Sequence, residues 1–253
     1  MAYLKVEGLA KAYGEAAVLG GIDFSVEEGE FVSIVGPSGC GKSTLFSIIG
    51  GIVRPDAGSV ILEGKEITGM RGHVSYMPQS PSLFPWRTVL ANAFLGGEIA
   101  GDRNEREALR MLEKAGLSGY ENKYPHELSG GMKQRVSFVR SLLTPKPLIL
   151  MDEPFSALDD FTRRDMQKWL LSIWSGNRRT ILFITHNLDE AALLSDKIIV
   201  LSRKPAKVKN VFTVPREREK REEWLLSDDY LPFKRSLLRE LNGKQDRDGP
   251  VWR

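Results

Sequence analysis

The chain alternates short apolar runs with amphipathic stretches, and this alternation predicts strands followed by helices. The apolar runs are compact and rich in β-branched residues, which is typical of buried strands. They predict strands at residues 31–35, 147–151, 180–185 and 197–201. Apolar positions at three- and four-residue spacing predict helices at 160–174 and 188–194. Strands that alternate with helices favour a parallel sheet covered by helices, so we expect an α/β core.

Two regions depart from that alternation. The first thirty residues predict short antiparallel strands at 3–6 and 17–26, separated by glycine turns. From residue 88 to 143 the periodicity is helical throughout. One of these helices places four apolar residues on a single face: Ala108, Met111, Leu112 and Ala115. We interpret the helical block as a subdomain inserted into the core.

These patterns predict one domain that covers all of residues 1–253. Residues 1–86 and 144–206 would form the α/β core with its N-terminal β subdomain. Residues 87–143 would form the helical subdomain, and residues 207–253 a charged tail without a regulatory domain. Within the tail, Phe233, Leu237, Leu238 and Leu241 predict one amphipathic helix over residues 230–241 that packs back on the core.

Composition narrows the function classes. Of the 253 residues, 42% are hydrophobic and 27% charged, as in an ordinary globular protein. We expect no signal segment, and no apolar run approaches the roughly 20 residues that a membrane span needs. The single cysteine, Cys40, excludes an internal disulfide and a cysteine zinc cage. A cytoplasmic protein fits best.

The charge of the tail does not predict a nucleic-acid partner. From Ser202 onward the chain has 14 lysines and arginines against 9 acidic residues, but the two signs interleave at residues 216–223. A nucleic-acid surface would be more uniformly basic and would often carry stacking aromatic residues. We therefore interpret this run as the solvated surface of a helix.

A phosphate-binding loop follows the strand at 31–35. The sequence GPSGCGKST matches G-x-x-x-x-G-K-[ST], and a helix begins near Lys42. Glycines let backbone N–H groups surround a polyphosphate, and the start of the helix adds its positive dipole end. Lys42 would place a charge near the β- and γ-phosphates, and Ser43 would offer a hydroxyl to Mg²⁺. The residues of this expected ATP site are Gly36, Pro37, Ser38, Gly39, Cys40, Gly41, Lys42, Ser43 and Thr44.

Two acidic residues end the apolar strand at 147–151. Asp152 would hold Mg²⁺ through its water shell, and Glu153, the next residue along a pleated strand, would point elsewhere and meet the attacking water. His186 follows another strand and could reach the γ-phosphate, although a histidine at a strand end is often structural. The amide of Gln79 could contact both metal and water, or it could be an ordinary loop glutamine.

A second helix start also suits an anion. Ser129-Gly130-Gly131 precedes a helix whose apolar face would be Val136, Val139 and Leu143. Its first N–H groups and the serine hydroxyl form an anion site by the same physics as the phosphate loop. The same residues also suit an ordinary helix cap, and both roles can coexist.

Together these motifs resemble the ATP-binding subunit of an ABC transporter, from about Leu4 to Ala206. GPSGCGKST resembles Walker A, LILMDEP Walker B, LSGGMKQR the ABC signature, and THN the loop around His186. Gln79 falls at the Q-loop position, and Tyr13 resembles the aromatic residue that stacks on adenine, although alone it would be interpreted as a packed strand tyrosine. The resemblance implies a signature made of Ser129, Gly130, Gly131 and Met132, and a D-loop made of Ser156, Ala157, Leu158 and Asp159.

The resemblance implies a P-loop NTPase fold and an ATPase that uses ATP and Mg²⁺. Two copies would pair on ATP binding, with the signature of each copy closing on the nucleotide of the other. Met132 stands where the commonest signature has glutamine, which leaves the backbone donors in place and does not indicate an inactive site. The membrane-spanning permease would be a separate partner, contacted by an exposed knob of Phe84, Pro85 and Trp86. Alternatively, Trp86 caps the helical subdomain.

The wording of the motifs is closest to importers of nitrate, of sulfonate and taurine, and of thiamine-pyrimidine precursors. Such a subunit would lie on the cytoplasmic face of the membrane and serve an extracytoplasmic binding protein indirectly. The alternatives are the ATPase of an ABC exporter and a soluble ABC ATPase without a transport role. A P-loop kinase would need an acceptor-site lid and would leave the signature at Ser129 without a purpose. A GTPase would need a pair of acidic residues that reads guanine, which the sequence does not show.

Overall fold

The computed structural model describes residues 2–102, 104–177 and 179–242. Residues 243–253, the end of the predicted tail, lie outside this described part, as do positions 1, 103 and 178. The chain folds into two compact units, one made of residues up to Gly69 and from Phe183 onward, the other of Met70–Leu182. The predicted division at residues 87, 144 and 207 stays a prediction.

The elements up to residue 69 are β1 (Leu4–Tyr13), β2 (Ala16–Val26), β3 (Phe31–Val35), α1 (Lys42–Ile49), β4 (Ala57–Leu62) and β5 (Lys65–Glu66). Between residues 70 and 182 follow β6 (Ser75–Met77), α2 (Val89–Ala93), α3 (Leu95–Ala100), α4 (Glu105–Lys114), a 3-10 turn (Pro125–Glu127), α5 (Gly130–Leu143), β7 (Leu148–Asp152) and α6 (Asp160–Asn177). β8 (Thr180–Ile184) crosses the boundary, and the rest are α7 (Leu188–Leu194), β9 (Lys197–Leu201), β10 (Val208–Thr213), a 3-10 turn (Arg218–Lys220), α8 (Arg221–Leu225) and α9 (Tyr230–Asn242).

The first unit contains the predicted N-terminal antiparallel sheet. Its strand order is β2-β1-β4-β5, and Leu4 of β1 pairs with Val26 on one side and with Leu62 on the other. Alternate residues of β1 are buried at its start, as expected of a strand with one covered face. The sheet is longer than predicted, because β1 continues to Tyr13.

A second set of strands in the first unit positions the phosphate loop. β3 is buried at all five residues and pairs in parallel with β9, with Val32 opposite Lys197. β10 pairs antiparallel with β9, so Val208–Thr213 is a strand that the charged composition of the tail concealed. A strand buried on both faces reads as a continuous apolar run, which explains why β3 was predictable and β10, which is mostly exposed, was not.

The helices of the C-terminal segment differ in part from the predictions. α9 matches the predicted helix, and its Leu237 is buried, but Leu238 is exposed and lies off the packed face. The interleaved charges at 216–223 are not a solvated surface throughout, since Arg221 is buried. That interpretation holds for the exposed residues of the run and is wrong at Arg221, because periodicity alone does not show that an arginine can bond backbone carbonyls inside the fold.

The second unit combines the strands β6 and β7 with the helical block. β6 and β7 are parallel neighbours, with Ser75 opposite Ile149. The predicted apolar face of α4 is confirmed, because Ala108, Met111, Leu112 and Ala115 are all buried. On α5, Val136 and Val139 are buried as predicted, whereas Leu143 is only half-buried because it lies at the last residue of the helix. In the described part of the chain, every helix is too short or too polar to cross a bilayer.

Candidate nucleotide site

The phosphate loop has the backbone that a Gly-rich anion cradle requires. It follows β3 and leads into α1, as predicted, with φ of 71° at Gly39 and 117° at Gly41. These left-handed values favour glycine. At Gly41 a Cβ atom would also lie 2.8 Å from Val18 Cγ1, so space and backbone conformation both exclude a side chain. The loop can therefore present its N–H groups closely to an anion.

Lys42 is held against this loop. Its Nζ donates hydrogen bonds to the carbonyls of Gly36 at 2.8 Å and Pro37 at 3.0 Å, and the residue is buried. The first turn of α1 has no side-chain cap, because the N-cap residue is Gly41. N–H groups at a helix start without a side-chain partner and a nearby ammonium group together favour a polyphosphate.

Cys40 and Ser43 occupy opposite environments in the loop. Cys40 is buried, and a Cβ atom at Gly36 would lie 3.0 Å from its Sγ, so the thiol fills the inside of the loop. Ser43, in the first turn of α1, is exposed. Cys40 therefore serves packing, whereas the hydroxyl of Ser43 can be approached by a ligand.

Tyr13 ends β1 as an exposed ring. It is 52% exposed, and Lys11 Nζ lies 5.5 Å from the ring centre. Lys11 is in turn bonded to Asp56 Oδ1 at 2.6 Å. Such exposure argues against a packed strand tyrosine and leaves the ring open to stacking.

In the second unit, the two acidic residues after β7 differ in backbone conformation. Asp152 is the last residue of the buried strand and is itself buried. Glu153 has a φ of 48°, in the left-handed region that non-glycine residues rarely adopt. The two carboxylates were expected to diverge because a strand is pleated. That reason is wrong, since the strand ends at Asp152 and the backbone adopts the left-handed conformation at Glu153.

Gln79 and Glu153 are brought together. Nε2 of Gln79 donates a hydrogen bond to Oε2 of Glu153 at 3.1 Å. The two residues are 74 positions apart in the chain and both belong to the second unit. Residues with a strained backbone, such as Glu153, are often found at functional sites.

The signature residues begin α5. Ser129 is the N-cap, and its Oγ accepts a hydrogen bond from the N–H of Met132 at 3.3 Å. Ser129 and Gly130 are exposed. A Cβ atom at Gly131 would lie 3.4 Å from Leu158 Cδ2, so the D-loop packs beside the signature. Met132 contributes its backbone donor, as expected for a position where the side chain can vary.

The D-loop is tied down at both ends. Ser156 Oγ donates to the carbonyl of Glu153 at 2.9 Å, and Asp159 Oδ1 accepts from Thr162 N at 2.9 Å. The N–H of Thr162 lowers the pKa of the Asp159 carboxyl, which keeps it charged at the start of α6. Arg163 Nη2 donates to the carbonyl of Leu158 at 2.8 Å. These bonds hold residues 156–159 in one arrangement.

His186 lies in the first unit, exposed between β8 and α7. The residues on either side are anchored: Thr185 Oγ1 donates to Glu190 Oε2 at 2.6 Å, and Asn187 N donates to Thr185 Oγ1 at 3.0 Å. Asn187 also caps α7, its Oδ1 accepting from Asp189 N at 2.9 Å. Sequence reasoning missed these anchors, although asparagine followed three residues later by glutamate is a recognisable helix-start signal.

The predicted aromatic knob is exposed. Trp86 is 71% exposed, and its ring lies 5.1 Å from that of Phe84. Trp86 therefore does not cap the helical subdomain, and Pro85 between them is exposed too. The loop is shaped by Asn92, a fully buried residue that sequence reasoning missed. Its Oδ1 accepts from Phe84 N at 2.8 Å, and its Nδ2 donates to three carbonyls in residues 84–88.

The fold and the phosphate loop define a P-loop nucleotide-binding cassette. A family model described as ABC transporter matches residues 19–156, more than half of the chain, and the chain belongs to this family. It is 41% identical to an aliphatic sulfonates import ATP-binding protein of Bacillus cereus, over 85% of this chain and 86% of the relative. It is 40% identical to a taurine import ATP-binding protein of Yersinia pestis, over 81% and 82% of the two chains.

A solved structure agrees with this assignment. The dimeric structure of a post-hydrolysis state of the ATP-binding cassette MJ0796, bound to ADP and Pi, matches 85% of this chain and all of that one. The TM-score is 0.75 at 30% identity. The predicted α/β P-loop fold and the predicted resemblance to ABC importer ATP-binding subunits are therefore confirmed. The roles of individual site residues stay predictions.

Proposed function

We propose that the chain is the ATP-hydrolysing subunit of an importer, working through separate membrane permease subunits. The phosphate loop carries the proposal: two left-handed glycines, an uncapped helix start and Lys42 bonded to the loop carbonyls form a polyphosphate cradle. The similar proteins, which are ATP-binding proteins of sulfonate and taurine import, support the direction of transport. Nitrate or a pyrimidine precursor belongs to the same group of candidate solutes.

In this proposal the phosphate loop binds ATP, with Tyr13 stacking on its adenine. Lys42 would hold the β- and γ-phosphates, and Glu153 would accept a proton from the attacking water while His186 fixes the geometry of the γ-phosphate. The hydrogen bond from Gln79 would orient the carboxylate of Glu153 before the water arrives. Phosphoryl transfer depends mainly on such positioning and on counter-charge.

The residues also fit Mg²⁺ bound together with ATP. Mg²⁺ commonly takes one or two protein oxygens and completes its shell with water and phosphate. Ser43 is exposed at the start of α1, and Asp152 places a buried carboxylate at a strand end. The described residues contain no group of three or more His, Cys, Asp or Glu positioned to hold a metal alone. We propose Ser43, Asp152 and Gln79 as the Mg²⁺ contacts, with Mg²⁺ supplying further counter-charge.

The signature would act on the nucleotide of a second copy. Ser129 and Gly130 are exposed at the start of a fourteen-residue helix, where an approaching phosphate meets both N–H groups and the dipole. A cassette of similar fold is dimeric. We propose a homodimer that forms on ATP binding, with its exposed aromatic knob of Phe84, Pro85 and Trp86 on the permease. The dimer would then lie on the cytoplasmic face of the membrane.

Mixing two inactive variants tests the proposal. Lys42→Ala would lack the cradle, and Ser129→Arg would lack the signature, so each pure variant should hydrolyse no ATP. A mixed dimer contains one site built from the intact cradle of one chain and the intact signature of the other. About a quarter of wild-type activity should return, since half of randomly paired dimers are mixed and each has one working site.

The matched control is the Lys42→Ala/Ser129→Arg double variant mixed with more of itself, which has no intact site in any pairing. No recovery in the mixture of folded single variants would refute action in trans. Transport is tested separately, by reconstituting the chain with a candidate permease and binding protein in vesicles and supplying taurine, an alkanesulfonate or nitrate. ATP-driven movement of solute toward the binding-protein side would favour an exporter instead.

A further inference from the structure

The C-terminal segment, residues 216–242, contacts the first turn of α7. Tyr230 Oη donates a hydrogen bond to Asp189 Oδ1 at 2.6 Å, and Lys234 Nζ lies 3.0 Å from Asp189 Oδ2. Tyr230 is buried, and burial followed by the bond to Asp189 raises the pKa of its hydroxyl, so the group stays a donor at neutral pH. A hydroxyl that donates to a carboxylate makes a short, strong bond.

The same segment contacts the other end of α7. Arg221 Nη1 donates to the carbonyl of Leu193 at 3.3 Å, and Arg218 donates to the carbonyl of Leu194. Arg218 Nη2 also lies 2.6 Å from Asp196 Oδ1. The last carbonyls of a helix have no partners within the helix, and cationic side chains stabilise them. Burial lowers the pKa of Arg221 to about 10, which leaves it charged near neutral pH.

Between these two ends, α7 is covered by apolar side chains. Leu188 and Ala191 of α7 belong to one buried cluster with Trp224 of α8 and with Tyr230 and Leu237 of α9. The rings of Trp224 and Tyr230 lie 5.0 Å apart at an interplanar angle of 70°. The C-terminal segment thus fixes α7 along its whole length.

α7 begins two residues after His186. Asn187 caps α7, and Thr185 is bonded to Glu190 inside it, so the backbone on both sides of His186 is attached to the first turn of the helix. Asp189, which receives Tyr230 and Lys234, lies in that same turn. A displacement of the first turn therefore moves the loop that carries His186.

We propose that Tyr230 and Lys234 are positioning residues for His186 and that the C-terminal segment sets the rate of ATP hydrolysis through α7. The inference rests on the proposed role of His186. The C-terminal segment lies outside residues 19–156, which the family model matches. Under this inference the segment contributes to catalysis. The segment acts by holding the first turn of α7 in position, since Tyr230 and Lys234 contact Asp189 and neither has a proposed contact with ATP.

The test compares two changes that each remove side-chain contacts of α9. The Tyr230→Phe/Lys234→Met double variant removes both contacts to Asp189 and keeps the ring and most of the aliphatic stem. The control is Lys209→Met, which removes the contact between Lys209 of β10 and the carbonyl of Glu240 in α9 and leaves α7 untouched. Both variants loosen the tail, but only the first should affect His186.

A spectroscopic readout separates this inference from the proposed function. The chain has three histidines, His73, His126 and His186. Histidine-labelled protein gives three ring signals, and His186→Ala assigns one of them. The His186 signal should shift in the double variant and stay in place in Lys209→Met, whether or not the chain hydrolyses ATP.

Kinetics supply the second readout. In the double variant kcat should fall on the order of three- to tenfold while KM for ATP stays constant, because only transition-state geometry changes. Lys234→Arg combined with the native Tyr230 should retain wild-type kcat. An unshifted His186 signal, or a kcat no lower than that of Lys209→Met, would overturn the inference. A shifted signal in a chain whose wild type lacks ATPase activity would instead contradict the proposed function.

Discussion

The left-handed backbone conformation of Glu153 leads to a prediction about the stability of the fold as well as about catalysis. At a φ of 48°, an L-residue is destabilised by about 1–2 kcal/mol relative to the right-handed region. Replacing Glu153 with glycine removes that strain but adds freedom to the unfolded chain, which costs about 0.4–1 kcal/mol. The balance should make Glu153→Gly more stable than Glu153→Ala by about 0.5–1 kcal/mol. Both variants lose the hydrogen bond to Gln79, so their difference isolates the backbone.

The assay is thermal unfolding of the purified variants without nucleotide. A difference of that size should raise the Tm of Glu153→Gly above that of Glu153→Ala by about 1–4 °C. Glu63 supplies the matched control, because it is the same residue type at a φ of 52° in the turn between β4 and β5. Glu63→Gly should exceed Glu63→Ala by a similar margin. At a position with an ordinary negative φ the order is the reverse.

The rate of ATP hydrolysis should distinguish variants of Glu153 from variants of Glu63. Every Glu153 variant, including Glu153→Gln, should bind ATP and turn it over about 10²–10⁴-fold more slowly, whereas the Glu63 variants should keep wild-type rates. Alanine at 153 melting at or above glycine would refute the left-handed backbone. Retained turnover in Glu153→Gln would remove the carboxylate from the chemistry. The two results are independent of each other.

Four further changes test other parts of the site. Lys42→Ala should weaken ATP binding by more than about tenfold in a fluorescent-nucleotide titration, since two charge-assisted bonds in the cradle are lost; unchanged affinity would contradict the cradle. Gly41→Ala should abolish binding and Gly64→Ala should not, because a Cβ atom meets Val18 at the first position and nothing within 4 Å at the second. Trp86→Ala should leave the ATPase rate unchanged and weaken co-purification with the permease by about thirtyfold; an undiminished complex would place the permease elsewhere. Ser129→Asp should keep the melting temperature, since aspartate also caps helices, and lose ATP-driven dimerisation through repulsion; dimerisation at wild-type strength would argue against a phosphate contact.

The parts of the site that the sequence predicts are those that local chemistry determines. The phosphate loop is a contiguous motif between a buried strand and a helix, and its glycines are needed where φ is positive. α7 was predicted at its exact bounds, Leu188–Leu194, because its apolar residues recur at helical spacing between two buried strands. In both cases neighbouring residues carry all the information.

The missed features depend on contacts that are distant in sequence. The bond between Gln79 and Glu153 spans 74 positions, and Asp189 is 41 positions from Tyr230. Arg221 was interpreted as solvated because it lies in a run of alternating charges, yet it is buried against the end of α7. Asn92 is an ordinary polar residue in a helical pattern until the loop at 84–88 closes around its amide. No local pattern distinguishes such residues from exposed ones.

The two helix starts that suit an anion, those of α1 and α5, differ in the hydrogen bonding of their first N–H groups. This difference bears on their roles. The N-cap residue of α1 is a glycine, so no capping side chain bonds to the first N–H groups of the helix. These N–H groups suit a ligand that is bound by the phosphate loop of the same chain. α5 has Ser129, whose oxygen already accepts from Met132. A hydroxyl accepts with its lone pairs and donates one proton, so Ser129 can cap its helix and still donate to a phosphate oxygen. The α5 helix is therefore stable before any partner arrives, which is what a site completed only by a second copy requires.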